Sequence, residues 1–226
     1  MFWGDTTIVL LIPVMILAFW AQSKVKGNYK KFNKIANQAG ITGAEAAELI
    51  LQRNGITDVV IQEVGGVLTD HYHPTKKVVN LSSEVYWSKS ISAVSIAAHE
   101  VGHAMQHAMG YAPMNIRASI VPVANISSKG AFPLFLIGFF LNTPLLMDLG
   151  IWLFAGALMF HLITLPVEFN ASKRAFIQLD NGILLDNVEM RGAKSVLNAA
   201  ALTYVASTLM ALVQLIRLIV LRGSRD

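Results

Sequence analysis

From Phe2 to Trp20 the chain is almost wholly apolar, with tryptophans near both ends of the run, at Trp3 and Trp20, where an interfacial aromatic belt would hold them. The run predicts a first membrane span. A cleaved signal peptide would start with basic residues and end at a small-x-small site, whereas this run carries Asp5 and has no such site after Trp20. Beyond it the pattern shortens. Thr42, followed three residues later by Glu45 and then by an alanine- and leucine-rich stretch to Asn54, predicts a helix with a capping box that Gly55 stops. Val59 to Glu63 and Val78 to Ser82 are short β-type runs flanking Gly65-Gly66 and the stretch Asp70-His71-Tyr72-His73-Pro74, and they predict a small sheet. Ser88 to Met109, free of proline and rich in alanine and methionine, reads as a helix that tolerates the cost of Gly102.

From Ala118 to Val167 nearly every position is apolar, and the length suits two spans joined near Asn142 to Asp148. Gly130 to Leu141 is too short to cross alone, so the first arm takes in Lys129, which is expected to face protein or water. Polar residues return between Glu168 and Lys194, and a last apolar run extends from Ala201 to Leu221.

Composition turns these runs into a class. The chain has 226 residues, 54% hydrophobic and only 14% charged, where soluble domains carry about 25% charged residues. Such an excess of apolar surface needs lipid, and one soluble face on a membrane base is expected. The expected fold is mainly α, with a small β-sheet and three to four transmembrane helices. Charge sets the orientation. Lys24, Lys26, Lys30, Lys31 and Lys34 follow the first span, and Lys173, Arg174, Arg191 and Lys194 lie in the later polar segment, so both regions belong on the cytoplasmic side and the N-terminus outside. The expected segments are a first span at 1–22, a cytoplasmic region at 23–117, a hairpin at 118–167, a second cytoplasmic segment at 168–200 and a C-terminal apolar helix at 201–226. If that last helix crosses, Arg217, Arg222 and Arg225 fall on the outer side, against the charge bias. The net charge of +4 sits beside apolar runs, where it meets anionic headgroups, which argues against a nucleic-acid partner. With no cysteine there is neither a disulfide framework nor a thiolate metal site.

The chemistry concentrates in His99-Glu100-Val101-Gly102-His103. On a helix two imidazoles four residues apart are separated by about 40° in rotation and roughly 6 Å along the axis, so both reach one ion. Glu100 then sits where a carboxylate accepts a proton from metal-activated water without being a ligand. Two histidines and a carboxylate buried without a metal would carry a heavy desolvation cost. Catalytic zinc needs a third protein ligand, and Glu168 is favoured because it follows the hairpin directly, on the side that holds the two histidines. Asp180, Asp186 and Glu189 are available on that side too, although solvated helix charges are the plainer reading of them. His107 continues the register but lies about two turns from His99, outside a shared coordination sphere, where it touches substrate or packs. His71 and His73 alternate as ligands on a strand would, or belong to a polar loop. His161, seven residues before Glu168, lines a path or cavity or is a bonded packing residue, with Pro166 between them as a source of bending.

These residues bring out a resemblance. Ala97-Ala98-His99-Glu100-Val101-Gly102-His103-Ala104, Leu165-Pro166-Val167-Glu168-Phe169-Asn170-Ala171-Ser172 and Ala199-Ala200-Ala201-Leu202-Thr203-Tyr204-Val205-Ala206 resemble the YugP-like neutral zinc metallopeptidases of bacterial membranes, over nearly the whole chain. The layout is also similar to the heat-shock membrane proteases and the CAAX prenyl proteases, in which a transmembrane hairpin separates H-E-x-x-H from a later glutamate ligand. That similarity implies Glu168 as third ligand. Those proteases commonly place an aspartate four residues after the glutamate to orient a histidine, where this chain has Ser172, with Asn170 nearby.

The expected activity is a zinc-dependent endopeptidase of the bacterial cytoplasmic membrane, multi-pass, with His99, His103 and Glu168 on the metal, Glu100 as general base, and the site at or near the cytoplasmic side. Tyr204, Arg174 and His107 are candidates to stabilise the oxyanion, and spacing ranks none of them. Expected partners are protein or peptide substrates, membrane proteins among them, and the lipid bilayer. The alternative class is a membrane scaffold with a structural zinc, which a closed four-ligand shell would favour. A metal transporter would need more ionisable groups along its spans than Lys129, Asp148 and His161.

Overall fold

The computed structural model describes residues 6–184 and 186–224. The aromatic-belt reading of Trp3 and the charge reading of Arg225 fall outside them. A short 3-10 turn, Thr6–Leu10, leads into α1, Leu11–Phe32, which runs well past Trp20 and through Lys24 to Lys31. Only the residue pattern, not the backbone, changes where the first span was expected to end.

The helix α2, Gly43–Arg53, starts as its sequence dictates. Thr42 Oγ1 accepts from Glu45 N at 3.2 Å and Glu45 Oε2 accepts from Thr42 N at 2.7 Å. Such a cap contributes about 1 kcal/mol. Asn54 closes the helix, and Gly55, at φ 66°, turns the chain in the left-handed region where a side chain is unwelcome.

Among the described residues the sheet has three strands, β1 (Val60–Val64), β2 (His71–His73) and β3 (Val78–Ser82), in the order β1-β3-β2. β1 lies parallel to β3 with Val60 opposite Val78, and β2 antiparallel with Tyr72 opposite Val79. The polar stretch between the two expected strands is therefore itself a strand. After the short α3, Ser83–Tyr86, comes α4, Ile91–Ala108, capped by Ser90 Oγ accepting from Ala93 N at 3.1 Å.

Three long helices complete the chain: α5 (Ala112–Phe140), α6 (Pro144–Asp180) and α7 (Asn187–Gly223). Asn142, at φ 51°, reverses the chain between α5 and α6, so the hairpin turn falls where Asn142 predicted it, while Asp148 already lies one turn inside α6. Neither end of the polar segment 168–200 is a break in structure: α6 continues through Pro166 to Asp180, and α7 starts at Asn187 rather than at 201. Pro166 is accommodated within the helix, and the polarity change at Glu168 reflects new surroundings on an unbroken backbone.

The described chain forms two compact units, and the division falls inside α1, α5, α6 and α7. One unit comprises 1–21, 116–165 and 203–226. In it Phe135, Met147 and Leu218 form a buried cluster. Arg222 Nε donates to Asp148 Oδ1 at 2.9 Å, and Arg217, only 6% exposed, donates from Nε to Thr7 Oγ1 at 3.3 Å. Lys129 is exposed. The other unit comprises 22–115 and 166–202, and its core joins α2, α3, the inner face of the sheet and α4 to the flanking portions of α6 and α7. Four helices, at 7–32, 112–140, 144–180 and 187–223, are long and apolar enough to cross a membrane among the described residues.

Candidate metal centre

α4 is buried along almost its whole length, and it meets α6 through His99, His103 and Gln106. The two helices come unusually close there. A Cβ at Gly102 would lie 2.6 Å from the carbonyl oxygen of Ala171, so the glycine inside the H-E-x-x-H motif is what lets the α6 backbone approach. That approach brings Glu168 to the two histidines. His99 Nε2 lies 3.3 Å and His103 Nε2 3.4 Å from the same oxygen, Glu168 Oε2. The three ligand atoms all fall within 4.8 Å of one another.

Glu168 is only 1% exposed and His103 only 6%. A buried carboxylate needs compensating positive charge, and two imidazole nitrogens and one carboxylate oxygen are the donor types zinc takes. The outward nitrogens are engaged elsewhere: Ser172 Oγ lies 3.1 Å from His99 Nδ1, and Gln106 Oε1 lies 3.0 Å from His103 Nδ1. Both histidines thus present Nε2 to the common point. The residues fit a zinc ion with three protein ligands.

Glu100 is held apart from this group. Its Oε2 accepts from Tyr72 N, on β2, at 3.0 Å. Burial raises its carboxyl to about 7, opposed by the nearby His99 and reinforced by the Glu168 and Asp70 carboxylates. A carboxylate so placed exchanges protons near neutrality. Asp70, itself raised by burial, is bound to Ser82 through the backbone nitrogen at 2.7 Å and the hydroxyl at 3.1 Å. That bond holds the start of β2 against the end of β3.

The remaining candidates separate clearly. His107 shares a 2.8 Å hydrogen bond between its Nδ1 and Tyr72 OH, one turn beyond the ligands. Tyr72, whose hydroxyl is pushed up to about 12 by burial and Asp58, thus braces both Glu100 and His107, a role the sequence pattern did not single out. Arg174 Nε donates to Asn170 Oδ1 at 2.7 Å, and its terminal nitrogen reaches Met109 Sδ at 2.9 Å. Tyr204 lies on α7 in the other compact unit, where its carbonyl accepts from Thr208 Oγ1. His161, in that unit too, contacts the ring of Phe160.

His71 and His73 are bonded within their own strand and turn. His71 Nδ1 donates to Thr69 O at 2.8 Å and its Nε2 accepts from Asn80 at 3.2 Å, while His73 Nδ1 accepts from Lys76 N at 3.3 Å. Asp186 accepts from Val188 N at 2.7 Å and Glu189 N at 2.8 Å, capping α7, and Glu189 accepts from Gln38 N at 2.7 Å. Asp180 is exposed at the end of α6. Among the described residues the group with metal-ligand spacing is His99, His103 and Glu168.

A family described as "Putative neutral zinc metallopeptidase" matches residues 7–223. The chain belongs to this zinc metallopeptidase family. A relative in Bacillus subtilis (strain 168), named "Putative membrane protease YugP", is 50% identical over 215 residues, covering 95% of each chain. No solved structure matches the chain. The family match spans the motif helix, the helix of Glu168 and all four apolar helices found among the described residues.

Proposed function

We propose that this member of the family is a membrane-embedded zinc endopeptidase, with zinc held by His99 Nε2, His103 Nε2 and Glu168. The observation that carries the reading is the convergence of those three atoms within 4.8 Å. Zinc bound there supplies Lewis acidity, polarising a peptide carbonyl and lowering the pKa of water toward about 7. Glu100 accepts the proton of the attacking water at its carboxylate and passes it to the leaving nitrogen. Tyr72 N keeps the Glu100 carboxylate in place for both transfers. Burial of Glu100 and Glu168 keeps bulk water from competing for either carboxylate. His107, bonded to Tyr72, and Arg174, bonded to Asn170 on α6, are the candidates for the oxyanion. Chelator should abolish cleavage of an unfolded protein such as casein by the detergent-purified chain, and zinc should restore it. Glu100→Gln should lower cleavage by about 10²–10⁴-fold with metal content unchanged. Cleavage that persists in chelator, or in Glu100→Gln, rejects the mechanism.

The proposed topology has four crossings of the bacterial cytoplasmic membrane, with the site at the cytoplasmic side and protein or peptide substrates, membrane proteins among them. Bonds within one unit support it. Arg222 to Asp148 and Arg217 to Thr7 tie the end of α7 to the hairpin-proximal turn of α6 and to the start of the α1 region. Those three ends then share one side, and Arg217 and Arg222, which run against the charge bias, are partnered there. Cysteines placed at Asn142 and Lys194 should label from opposite sides of the membrane; labelling from one side rejects the four-crossing arrangement.

A further inference from the structure

The two histidines reach Glu168 with the same nitrogen but are supported differently on the other. Ser172 Oγ lies against His99 Nδ1, and a hydroxyl both donates and accepts, so this contact does not by itself fix where the His99 proton sits. Gln106 supports His103. It is fully buried, one turn beyond His103 on α4, and its amide has two ends of opposite character. The amide nitrogen lies 2.7 Å from Val167 O and 3.0 Å from Asn170 Oδ1. A backbone carbonyl only accepts, so the nitrogen end of Gln106 must face α6 and the oxygen end must face His103. Arg174 sets Asn170 in the same sense, because a guanidinium only donates and its Nε lies 2.7 Å from Asn170 Oδ1. The direction of every bond in the chain thus follows from two groups that cannot be turned round, the Val167 carbonyl and the Arg174 guanidinium.

We propose that Gln106 is a positioning residue for the metal ligand His103, itself oriented by Val167, Asn170 and Arg174. Its oxygen accepts the Nδ1 proton of His103, which leaves the Nε2 lone pair turned toward Glu168 and the metal. The opposite tautomer would set a lone pair against the Gln106 oxygen and place the proton where zinc binds. Partners of this kind alter metal affinity by about 10–100-fold. The proposal rests on the zinc reading for its consequence, although the direction of the bonds stands on geometry alone.

The test is zinc affinity, measured by chelator competition on the detergent-purified full chain and its variants. Gln106→Met keeps length and volume but offers His103 no oxygen, and it should weaken zinc binding by about 10–100-fold. Gln106→Glu returns an acceptor to His103 but sets its second oxygen against Val167 O and Asn170 Oδ1, so it should recover only part of that loss, and any recovery over Gln106→Met is what a purely space-filling role would not predict. In the zinc-loaded parent, nitrogen-edited NMR should show a slowly exchanging Nδ1 proton on His103, and this signal decides the matter should Gln106→Met fail to fold. Parent-like affinity in a folded Gln106→Met variant, or no such proton in the parent, overturns the relay while leaving the zinc site standing. A parent that binds no zinc overturns both.

Discussion

The helices α4 and α5 are both dominated by apolar residues, yet they bury themselves in opposite ways. In α4 nearly every side chain is buried, and each polar one has a protein partner: Ser92 donates to Tyr29 O at 3.1 Å, Ser95 to Ile91 O at 2.6 Å, and Glu100, His103 and Gln106 belong to the site. In α5 only 22% of the most apolar window is buried, and Val123, Ile126 and Phe140 stand 62%, 70% and 66% exposed. An apolar helix enclosed by protein supports chemistry, because its polar groups act in a dry and fixed setting. An apolar helix with its hydrophobic side chains facing outward needs another apolar phase around it, which the proposed membrane would supply.

A charge scan of both helices would break this contrast most forcefully. Ala97→Asp, at a fully buried position of α4, leaves an unpaired charge inside protein and should cost about 3–5 kcal/mol in any solvent. Ile126→Asp, near the middle of α5, should cost about 2.5–3.5 kcal/mol in a membrane-insertion assay, but only about 0.5 kcal/mol if that face is in water. Insertion unaffected by Ile126→Asp would mean that α5 does not present this face to lipid.

A smaller effect sharpens the same contrast through two glycines. Gly102→Ala would press a methyl group against the Ala171 carbonyl at 2.6 Å. It should cost about 1–3 kcal/mol in thermal or denaturant unfolding as the two helices part. Gly130→Ala on α5 meets nothing within 4 Å, and improved helix propensity should leave the protein unchanged or about 1 kcal/mol more stable. Equal responses at the two positions would show that α4 and α6 do not depend on close approach.

The parts of this architecture written into local sequence were those with local causes. The Thr42 and Glu45 capping box, the strand at Val78 to Ser82, the helix carrying His99 and His103 and the reversal at Asn142 each depend on residues close in the chain, and the structure has them where the pattern put them. Glu168 was reached by a topological argument, and α6 does bring it to the histidines. What stayed hidden depends on distant neighbours. Tyr72 looked like part of a polar loop until β3 drew His71 to His73 into a strand beside α4. Gln106 and Asn170 are ordinary amides until two helices face each other, and Gly102 looked like a mere cost to helix propensity because its reason is the Ala171 backbone. The helices α1, α6 and α7 run past the polarity changes at Lys24, Glu168 and Ala201 for a related reason: a helix has no need to stop where its surroundings change.

In the proposed enzyme three side chains from two helices hold one metal ion. Zinc content of the detergent-purified parent and of Glu168→Ala, both checked for folding, tests this directly. Close to one zinc per parent chain and its loss from the variant are expected; a zinc-free parent, or a variant that keeps its zinc, would rule out this three-residue site.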